Sequence, residues 1–501
     1  MKRGEESRSI VQLRDDGQML TSSLHAIAAA VGDGWSDDAG VLAPHLVDWR
    51  GRVHGAAEMI VWPRTTAQVA AVVRAAAAGQ VALVPQGGNT GLAGGATPAA
   101  SGGAVIVSLA RMAAIGAVDR AGLTLTVEAG AILADVHAAA AAAGTTFPLD
   151  LAAKGSATIG GLVATNAGGV QVLRHGTMRA RVAGLEAVLA SGAVLGQLSP
   201  LVKDTGGYDI KQLLIGSEGT LGIITRVALR LAVMPRVRVV AWAGVSSPDA
   251  ALALLAQLRG DLGDVVDSFE LIPLAGVDLV AAHGQRPPLN IAAPWQVLIE
   301  LQSVAVAPGL AAALADALAA ADVADAVIAQ SDAQAAALWR VRETLPEAER
   351  RDGVAVKHDI ALPVPALPAF VAAATPAIEA QWAGSRVLAF GHVGDGNLHY
   401  NVRAPVGADS AAWVATYGAA ITRAVNDRVV AMGGSIAAEH GIGQIKVAEL
   451  ARVGDPARLA AMRAVKAALD PLGIMNPGKV IACPPSRAAD CAFHGKIQVV
   501  V

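Results

Sequence analysis

Residues 85–95 read PQGGNTGLAGG and directly follow the short apolar segment VALVP. Five glycines, at positions 87, 88, 91, 94 and 95, allow consecutive backbone N–H groups to point into one concavity, which suits phosphate oxygens. The segment lacks the lysine and the GKS or GKT ending of a P-loop, and its spacing is not GxGxxG. A merely flexible loop is the alternative, but a solvated linker is seldom so small, polar and strand-anchored. The segment therefore predicts a pyrophosphate cradle.

The chain before this loop predicts a strand, a helix and a second strand. EMIVWP (58–63) is a short apolar strand, and the helix over 65–79 begins at the N-cap Thr65 and ends with Gly79. VALVP is the second strand. In βαβ units ligands bind beyond the carboxyl ends of the strands, which is where the glycine-rich loop belongs. Short apolar strands alternate with alanine-rich helices as far as residue 231.

A different pattern begins at residue 237. Two successive strand–helix–strand runs, up to residue 340, predict an α+β layer with helices on one face. Residues 365–430 predict two further helices around a hairpin at Arg386–Arg403, and 455–480 predict a helix that leads into NPGK. A short amphipathic helix is expected from Leu20 to about Val31.

The composition excludes several classes of protein. With 501 residues, of which 53% are hydrophobic and 16% charged, the chain can bury a large core and suggests about three folding units. The 39 basic and 42 acidic residues give a net charge of −3, so nothing favours nucleic-acid binding. No run approaches about 18 strongly apolar residues, so no transmembrane segment is expected. Cys483 and Cys491 are the only cysteines, and the N-terminus has no apolar signal region, so we expect a cytoplasmic protein.

Two more glycine-rich runs lie between the cradle and residue 231. They read SATIGGLVATNAGG (Ser156–Gly169) and GSEGTLGII (Gly216–Ile224), and apolar residues flank both. Such runs occur where backbone approaches a flat ligand closely. Either run alone is explained by turns, but three runs between residues 85 and 224 favour a ligand.

A histidine-containing hairpin predicts a metal site. In FGHVGDGNLHYNV (Phe390–Val402), a turn at Gly394–Asn397 places His392 opposite His399, with Cβ atoms roughly 5 Å apart. Glu439 in AAEHGIG is a candidate third ligand, which leaves positions open for substrate oxygens. Hydrogen-bonded core histidines are the alternative. Zn²⁺, Mn²⁺, Fe²⁺ and Co²⁺ all suit these ligand types.

Three more side chains are candidates for contact with a substrate. His440, next to Glu439, is a candidate general base, with a supporting structural role as the alternative. Arg342 and Lys357 precede the hairpin and are candidate carboxylate ligands, although solvation is the default for isolated charges. Of the two nearby arginines, Arg340 is expected to face solvent.

Together these motifs resemble a known family. Pro85–Gly95, Ile159–Gly169, Gly216–Ile224, GHVGDGNLH, AAEHGIG and NPGK are similar to those of the FAD-linked oxidases of the vanillyl-alcohol oxidase fold, within it the D-2-hydroxyacid dehydrogenases. The likeness covers about Val47 to Val480. It implies an α+β fold with a two-part, PCMH-type FAD-binding domain and an α+β cap domain that carries metal and substrate ligands. The implied boundaries are an N-terminal arm and helix (1–46), the FAD-binding domain (47–233), the cap (234–440), a C-terminal segment returning to the FAD (441–483) and a tail (484–501).

The resemblance also implies a role for individual residues. The FAD pyrophosphate would be held by Pro85, Gly87, Gly88, Asn89, Thr90, Gly91 and Leu92. The flavin would be lined by Ser156, Gly160, Gly161, Thr165, Asn166, Glu218, Gly219, Gly222 and Ile224, with Asn476 closing over it. Members with covalent FAD carry a histidine in the glycine loop, where this chain has Gly88–Asn89–Thr90, so the FAD should be non-covalent. His392, His399 and Glu439 match the metal ligands, with Zn²⁺ expected; Asn401 and His440 match the substrate-contacting pair, and Arg342 and Lys357 the carboxylate binders.

The implied reaction is oxidation of a D-2-hydroxy acid, with D-2-hydroxyglutarate dehydrogenases as the nearest likeness. His440 would take the hydroxyl proton, and hydride would pass to FAD N5. Some of these enzymes carry a hydroxyl-bearing residue where this chain has Pro346, which keeps D-lactate, glycolate and D-malate open as substrates. No NAD fingerprint occurs, so a quinone or an electron-transfer flavoprotein is the expected acceptor, and a homodimer is expected from the family. A non-catalytic flavin- or metal-binding module is the remote alternative.

Overall fold

Two large hydrophobic cores organise the computed structural model, which describes residues 21–305 and 309–482. One core draws on side chains between Ile27 and Leu231, together with Ile474 and Met475. The other lies between Val239 and Val429 and forms on both sides of a sheet. The expected arm, the tail and both cysteines lie outside the described residues.

The first part of the chain is built on short strands and helices. Its strands are β1 (Trp35–Ser36), β2 (Met59–Val61), β3 (Ala82–Gln86), β4 (Ala104–Ser108), β5 (Ile115–Asp119), β6 (Thr124–Glu128), β7 (Thr145–Thr146), β8 (Val182–Val188), β9 (Val194–Gln197), β10 (Ile223–Arg230) and β11 (Ala232–Val233). Its helices are α1 (21–31), α2 (Ala39–Leu42), α3 (Thr66–Gly79), α4 (Leu133–Ala142), α5 (Ile159–Thr165), α6 (Val172–His175), α7 (Met178–Arg181) and α8 (Lys211–Leu214), and a 3₁₀ turn spans Ala43–His45.

The first sheet has the order β1-β2-β4-β3, in which β2, β4 and β3 run parallel. The expected strand–helix–strand unit is present, with β4 between its two strands. Thr65 caps α3 by accepting a hydrogen bond from the Gln68 amide at 3.2 Å, as its side-chain type indicates. The left-handed residue that ends the helix is Gln80, at φ 53°, rather than a glycine. A second, antiparallel sheet has the order β5-β6-β10-β8-β9.

The second part of the chain carries longer elements. Its strands are β12 (Val237–Val245), β13 (Val266–Pro273), β14 (Trp295–Ser303), β15 (Val323–Ile328), β16 (Ala355–Ala361), β17 (Arg386–Phe390) and β18 (Asn397–Arg403). Its helices are α9 (Pro248–Leu262), α10 (Leu274–Ala282), α11 (Leu310–Ala320), α12 (Asp332–Arg351), α13 (Leu367–Gln381), α14 (Ser410–Ala431), α15 (Val447–Val453) and α16 (Pro456–Leu469), with 3₁₀ turns at Val364–Ala366 and Val393–Asp395. Within the described ranges, no helix combines the length and the apolar character needed to cross a membrane.

Helices cover both faces of the antiparallel sheet β13-β14-β12-β15, so the expectation of one covered face is wrong. Ala241 and Ala243 of β12 pack in the core that contains α9 and α11. Val240 and Trp242 point the other way and pack with α10 and α12. Since side chains alternate along a strand, the unbroken apolar run in β12 requires cover on both sides. A three-stranded sheet, β16-β18-β17, adjoins this layer.

The chain returns to the first part after α16. The Leu83 amide donates to Ile474 O, and the Asn476 amide donates to Leu83 O, both at 2.8 Å. These bonds cover the free edge of β3. The buried carboxylate of Asp470 holds this return, since it accepts hydrogen bonds from the amides of Ile474 at 3.1 Å and Met475 at 2.9 Å.

We expect Asp470→Ala to destabilise the protein by about 2–4 kcal/mol, because it leaves two buried amides without an acceptor and removes the carboxylate partner of the Lys466 ammonium. The midpoint of urea unfolding measures the change. Asp316→Ala, at an exposed position of α11, is the matched control and should leave the midpoint nearly unchanged. Equal midpoints for the two variants would contradict the role given to Asp470.

Candidate active site

An open cavity lies where the three glycine-rich runs meet. The predicted cofactor residues that line it are Pro85, Gly87, Gly88, Asn89, Thr90, Gly91, Gly160, Gly161, Thr165, Glu218, Gly219, Gly222 and Ile224. The sequence therefore located most of the cavity wall. Leu92, Ser156, Asn166 and Asn476 are not part of that wall. His440, from the second part of the chain, also lines the cavity.

Three of the four predicted residues outside the wall form hydrogen bonds that hold the neighbouring segments in place. The Leu92 carbonyl accepts a hydrogen bond from Arg52 at 3.0 Å. Asn166 ends α5 at φ 50° and accepts from the Arg179 amide at 2.9 Å. The Asn476 amide group donates to Gly95 O at 2.9 Å and to Glu218 O at 2.7 Å. Asn476 thereby joins the returning C-terminal segment to two cavity loops.

Close backbone packing explains two of the glycines in the 85–95 loop. A Cβ atom at Gly87 would lie 2.2 Å from Thr158 Oγ1, and one at Gly88 would lie 1.9 Å from Ser156 O. A Cβ atom at Gly91 would meet nothing within 4 Å. The loop therefore rests directly on the segment before α5, and only a residue without a side chain fits there.

Two features of the cavity fit a dinucleotide such as FAD. Thr158, which lines the cavity and is 6% exposed, has a buried Oγ1 with no hydrogen-bond partner among the described residues. Asn89 at φ 51° and Glu218 at φ 52° hold the left-handed conformation, which costs free energy for residues other than glycine and tends to occur at functional sites. The residues present thus fit the cofactor that the sequence predicts.

The histidine hairpin differs in register from the prediction. Phe390, not His392, pairs with His399, and the turn contains a 3₁₀ segment at Val393–Asp395. The reason is that β17 stops at Phe390, because the amide and carbonyl of Gly391 bond instead to Leu271 of β13, at 3.0 and 2.8 Å. The two imidazoles nevertheless meet, with ring centroids 5.7 Å apart.

Glu439 completes a group of three donor side chains. The candidate ligand atoms of His392, His399 and Glu439 all lie within 4.8 Å of one another. His392 Nε2 is 3.6 Å from Glu439 Oε1, and His399 Nε2 is 4.0 Å from Glu439 Oε2. Two imidazoles and one carboxylate form a ligand set typical of Zn²⁺ and other divalent transition metals. The described residues also include a second such group, Asp359, Glu439 and His440.

Two buried carboxylates orient the imidazoles. Glu270 Oε1 pairs with His392 Nδ1, and Asp359 Oδ1 lies 3.9 Å from His399 Nδ1. Carboxylates behind metal-binding histidines commonly fix the ring orientation and the tautomer. Burial opposes charge on His392, but Glu270 and Glu439 outweigh it and raise the pKa of His392 to about 9. Burial raises the pKa of Glu439 to about 6. A bound cation would replace these protons, since metals bind the deprotonated ligands.

His440 contacts both the candidate metal-binding group (His392, His399 and Glu439, called the metal group below) and the glycine-lined cavity. Its ring stacks on that of His399, with centroids 6.3 Å apart, and its Nδ1 lies 3.4 Å from Asp359 Oδ2. Burial lowers the pKa of His440 to about 4, against the opposing charge of Asp359. The imidazole is therefore uncharged at neutral pH, as a proton acceptor must be.

The predicted carboxylate binders are each paired with a buried carboxylate. Arg342 Nε donates to Glu270 Oε2 at 2.7 Å, and its guanidinium lies 5.0 Å from the centre of the Phe390 ring. Lys357 and Asn401 are cross-strand neighbours in β16 and β18. Lys357 Nζ lies 2.7 Å from Glu349 Oε2, and Asn401 Nδ2 donates to the same oxygen at 2.9 Å. Arg340 is exposed, as expected.

Sequence reasoning missed the acidic residues that support this site: Glu270, Glu349 and Asp359. A signal was present, because Glu270 and Asp359 interrupt apolar strands at positions that should be buried. Arg50 was also missed. It is exposed, yet the surrounding protein lowers its pKa to about 10 by desolvation, while Asp359 and Glu349 act in the opposite direction.

Comparison with protein families gives two matches. Residues 57–196 match the FAD binding domain family, and residues 234–480 match the C-terminal domain of FAD linked oxidases. The two matches together account for most of the chain, and they confirm the resemblance seen in the motifs.

The sequence matches to three relatives span most of this chain and most of each relative. A D-2-hydroxyglutarate dehydrogenase from Xanthomonas citri pv. viticola is 41% identical, over 86% of this chain and 91% of the relative. A mitochondrial D-2-hydroxyglutarate dehydrogenase from Bos taurus is 38% identical, over 88% and 80%. A putative mitochondrial D-lactate dehydrogenase from Schizosaccharomyces pombe is 34% identical, over 89% and 86%.

Solved structures share the fold at low sequence identity. An alkyldihydroxyacetonephosphate synthase superposes with a TM-score of 0.70 at 18% identity, over 92% of this chain and 86% of the other. p-Cresol methylhydroxylase gives a TM-score of 0.69 at 15% identity, over 92% and 96%. Fold, family models and relatives agree, and the chain therefore belongs to the FAD-linked oxidases, as an FAD-dependent oxidoreductase of the vanillyl-alcohol oxidase family that is similar to the D-2-hydroxyacid dehydrogenases.

Proposed function

We propose that the protein is a metal-dependent dehydrogenase that oxidises D-2-hydroxy acids, with D-2-hydroxyglutarate, converted to 2-oxoglutarate, as the first substrate to test. The observation that carries this proposal is the position of His440, which lines the glycine-walled cavity and stacks on His399 of the metal group. A small acid between the two would face a proton acceptor, a cation site and the cofactor cavity at once. The names of the relatives supply the substrate class.

The two non-protein groups have separate tasks. A divalent cation held by His392, His399 and Glu439 would polarise the C2 hydroxyl and the adjacent carboxylate. The glycine-lined cavity would hold FAD without a covalent bond, and the bound cofactor would supply the acceptor for the hydride from C2. Zn²⁺ is the cation we propose, on the strength of the two imidazole donors.

The protein's own residues manage the proton. Asp359 Oδ2 lies 3.4 Å from His440 Nδ1. This contact would keep the proton on Nδ1 and leave the other ring nitrogen, Nε2, for the substrate. The same carboxylate accepts hydrogen bonds from the backbone amides of Glu439 and His440, both at 2.9 Å, so metal ligand and base are held together. His440 Nε2 would accept the proton of the C2 hydroxyl. Asn401 and Arg342 would orient the substrate from the adjoining strand and helix.

A substrate without a second carboxylate is the second candidate. Lys357 and Arg342 already have carboxylate partners inside the protein, and Pro346 offers no hydroxyl. Both facts favour D-lactate or glycolate, which have a single carboxylate, more than a simple two-cation clamp would; D-malate, with its second carboxylate on a shorter chain, remains the dicarboxylate alternative to D-2-hydroxyglutarate. The deciding experiment is anaerobic bleaching of the bound flavin by a panel of D-2-hydroxy acids, with and without chelator. A flavin that no 2-hydroxy acid bleaches would leave only a non-catalytic binding module.

The remaining partners are also proposals. We propose a quinone or an electron-transfer flavoprotein as the electron acceptor, since no nicotinamide-binding fingerprint occurs in the sequence. The homodimer and the cytoplasmic location stay predictions.

We expect Gly88→Ala to weaken FAD binding at least tenfold, because the added methyl group would collide with Ser156 O and overpacking of this kind costs about 1–3 kcal/mol. The flavin absorbance of the purified protein measures the loss. Gly260→Ala, at an exposed position of α9 away from the cavity and with open space around the new Cβ, is the control and should keep its flavin. A fully yellow Gly88→Ala protein would contradict the packing argument.

We expect Glu439→Gln to reduce bound divalent metal roughly tenfold or more, since an amide is a much weaker ligand than a carboxylate. Metal analysis of the dialysed protein by mass spectrometry provides the measurement. Glu343→Gln, at an exposed position of α12, is the control. Full metal content in Glu439→Gln would remove Glu439 from the ligand set.

We expect His440→Gln to slow flavin reduction by about 10²- to 10⁴-fold, the usual contribution of a general base, without loss of FAD or metal. Stopped-flow measurement of flavin bleaching under anaerobic conditions gives the rate. A rate within twofold of the wild type would show that another group takes the proton.

A further inference from the structure

Glu349 occupies an unusual position for a carboxylate. It lies on α12 and is fully buried, at 0% exposure, in contact with Lys357 and Asn401, two of the residues that the sequence predicts to contact the substrate. Its Oε2 lies 2.7 Å from Lys357 Nζ and accepts a hydrogen bond from Asn401 Nδ2 at 2.9 Å. Both candidate substrate ligands of β16 and β18 therefore share one internal acceptor.

The pair with Glu349 cancels the charge that Lys357 would offer to a substrate. The Lys357 side chain is 29% exposed, whereas that of Glu349 is completely enclosed. If Lys357 turned to a substrate carboxylate, Glu349 would remain as a buried charge without its counter-ion, which is strongly unfavourable. A carboxylate that instead approached the existing pair would meet a second negative charge on the same ammonium. In both cases a distal carboxylate, that is, one at the far end of the substrate from C1 and C2, gains little binding free energy from Lys357.

The second oxygen of Glu349 adds an independent observation. Oε1 is buried and has no hydrogen-bond partner among the described residues. A buried acceptor without a donor is costly. Because Oε1 is enclosed, Glu349 acts on a substrate only through its effect on Lys357 and Asn401.

The other charges nearby do not restore a positive site. Arg342 is held by Glu270 at 2.7 Å. Arg50 is exposed and lies near Arg52, whose positive charge opposes its own, while the acidic Asp48, Asp359 and Glu349 act in the opposite direction. Each cation at this end thus has at least one carboxylate neighbour inside the protein.

We propose that Glu349 is a specificity-determining residue that removes the advantage of a distal carboxylate, so that the enzyme accepts D-2-hydroxy acids with an uncharged far end at least as well as the dicarboxylate. This inference rests on the proposed function, in which the metal group and His440 hold the C1–C2 end of the substrate. Specificity then arises from a repulsive element as well as an attractive one.

The first test uses the wild-type holoenzyme and two substrates with the same five-carbon chain, D-2-hydroxyglutarate and D-2-hydroxyvalerate. We expect kcat/KM for the dicarboxylate to be equal to or lower than that for the uncharged acid. A dicarboxylate preference of tenfold or more would overturn the role of Glu349 while leaving the proposed dehydrogenase activity intact.

The second test changes Glu349 itself. Glu349→Gln keeps the shape and the hydrogen bonds but releases the charge of Lys357, so we expect the dicarboxylate-to-uncharged ratio to rise roughly tenfold or more, the usual strength of a charged hydrogen bond. Adding Lys357→Met to that variant should abolish the gain. Glu343→Gln, an exposed position on the same helix, should leave the ratio unchanged. An unchanged ratio in Glu349→Gln, or a gain that survives Lys357→Met, would overturn the inference.

A binding measurement separates the inference from the proposed function and from folding defects in the variants. Calorimetry on the wild-type holoenzyme compares 2-oxoglutarate with 2-oxovalerate, the two products. Similar or weaker binding of 2-oxoglutarate supports the inference even if turnover is slow. Binding of neither product, together with no oxidation of either substrate, would overturn the inference and the proposed function together.

Discussion

The candidate site depends on the hydrogen bonds of the buried Asp359 carboxylate, which join its own strand β16 to β18 and to the 439–440 segment. This carboxylate accepts hydrogen bonds from Asn397 at the start of β18 and from the backbone of Glu439 and His440, all at 2.9 Å. The proposed metal ligand Glu439 and the proposed base His440 therefore cannot move independently of the sheet that carries His399. The energetic reason is that a buried carboxylate must satisfy its oxygens, so it orders the donors around it.

A second carboxylate joins the two parts of the chain. Glu218 lies in the cavity wall and accepts hydrogen bonds from the amides of Ile442 and Gly443, both at 2.8 Å. Its pKa is raised by burial, which these two amides oppose. Since the 442–443 segment follows His440 directly, the bond fixes the distance between the glycine-lined cavity and the proposed base. An oxidoreductase that transfers hydride between a substrate and a cofactor needs such a fixed distance.

Local patterns predicted the elements well and their pairing less well. The glycine-rich runs, the cap at Thr65 and the hairpin are visible in the residues, because turns, caps and strands depend on near neighbours in sequence. The register of the hairpin was wrong, because Gly391 bonds to Leu271, more than a hundred residues earlier. The prediction that one face of this sheet lacks helices was also wrong, since the second face of β12 is covered by α10 and α12, which follow α9 further along the chain.

The sequence alone was sufficient for the family, because its motifs are short runs of the chain, and the comparisons confirm it. The glycine-rich runs and the His392, His399 and Glu439 group are also visible in the sequence, although their roles as cofactor and metal sites stay predictions. The tertiary structure alone decided which charges are available to a substrate. Lys357 and Arg342 look like free cations in the sequence, yet the fold places Glu349 and Glu270 against them at 2.7 Å. The physical reason is that the strength of a charge depends on its partners and its burial, and both are set by residues that only folding brings together.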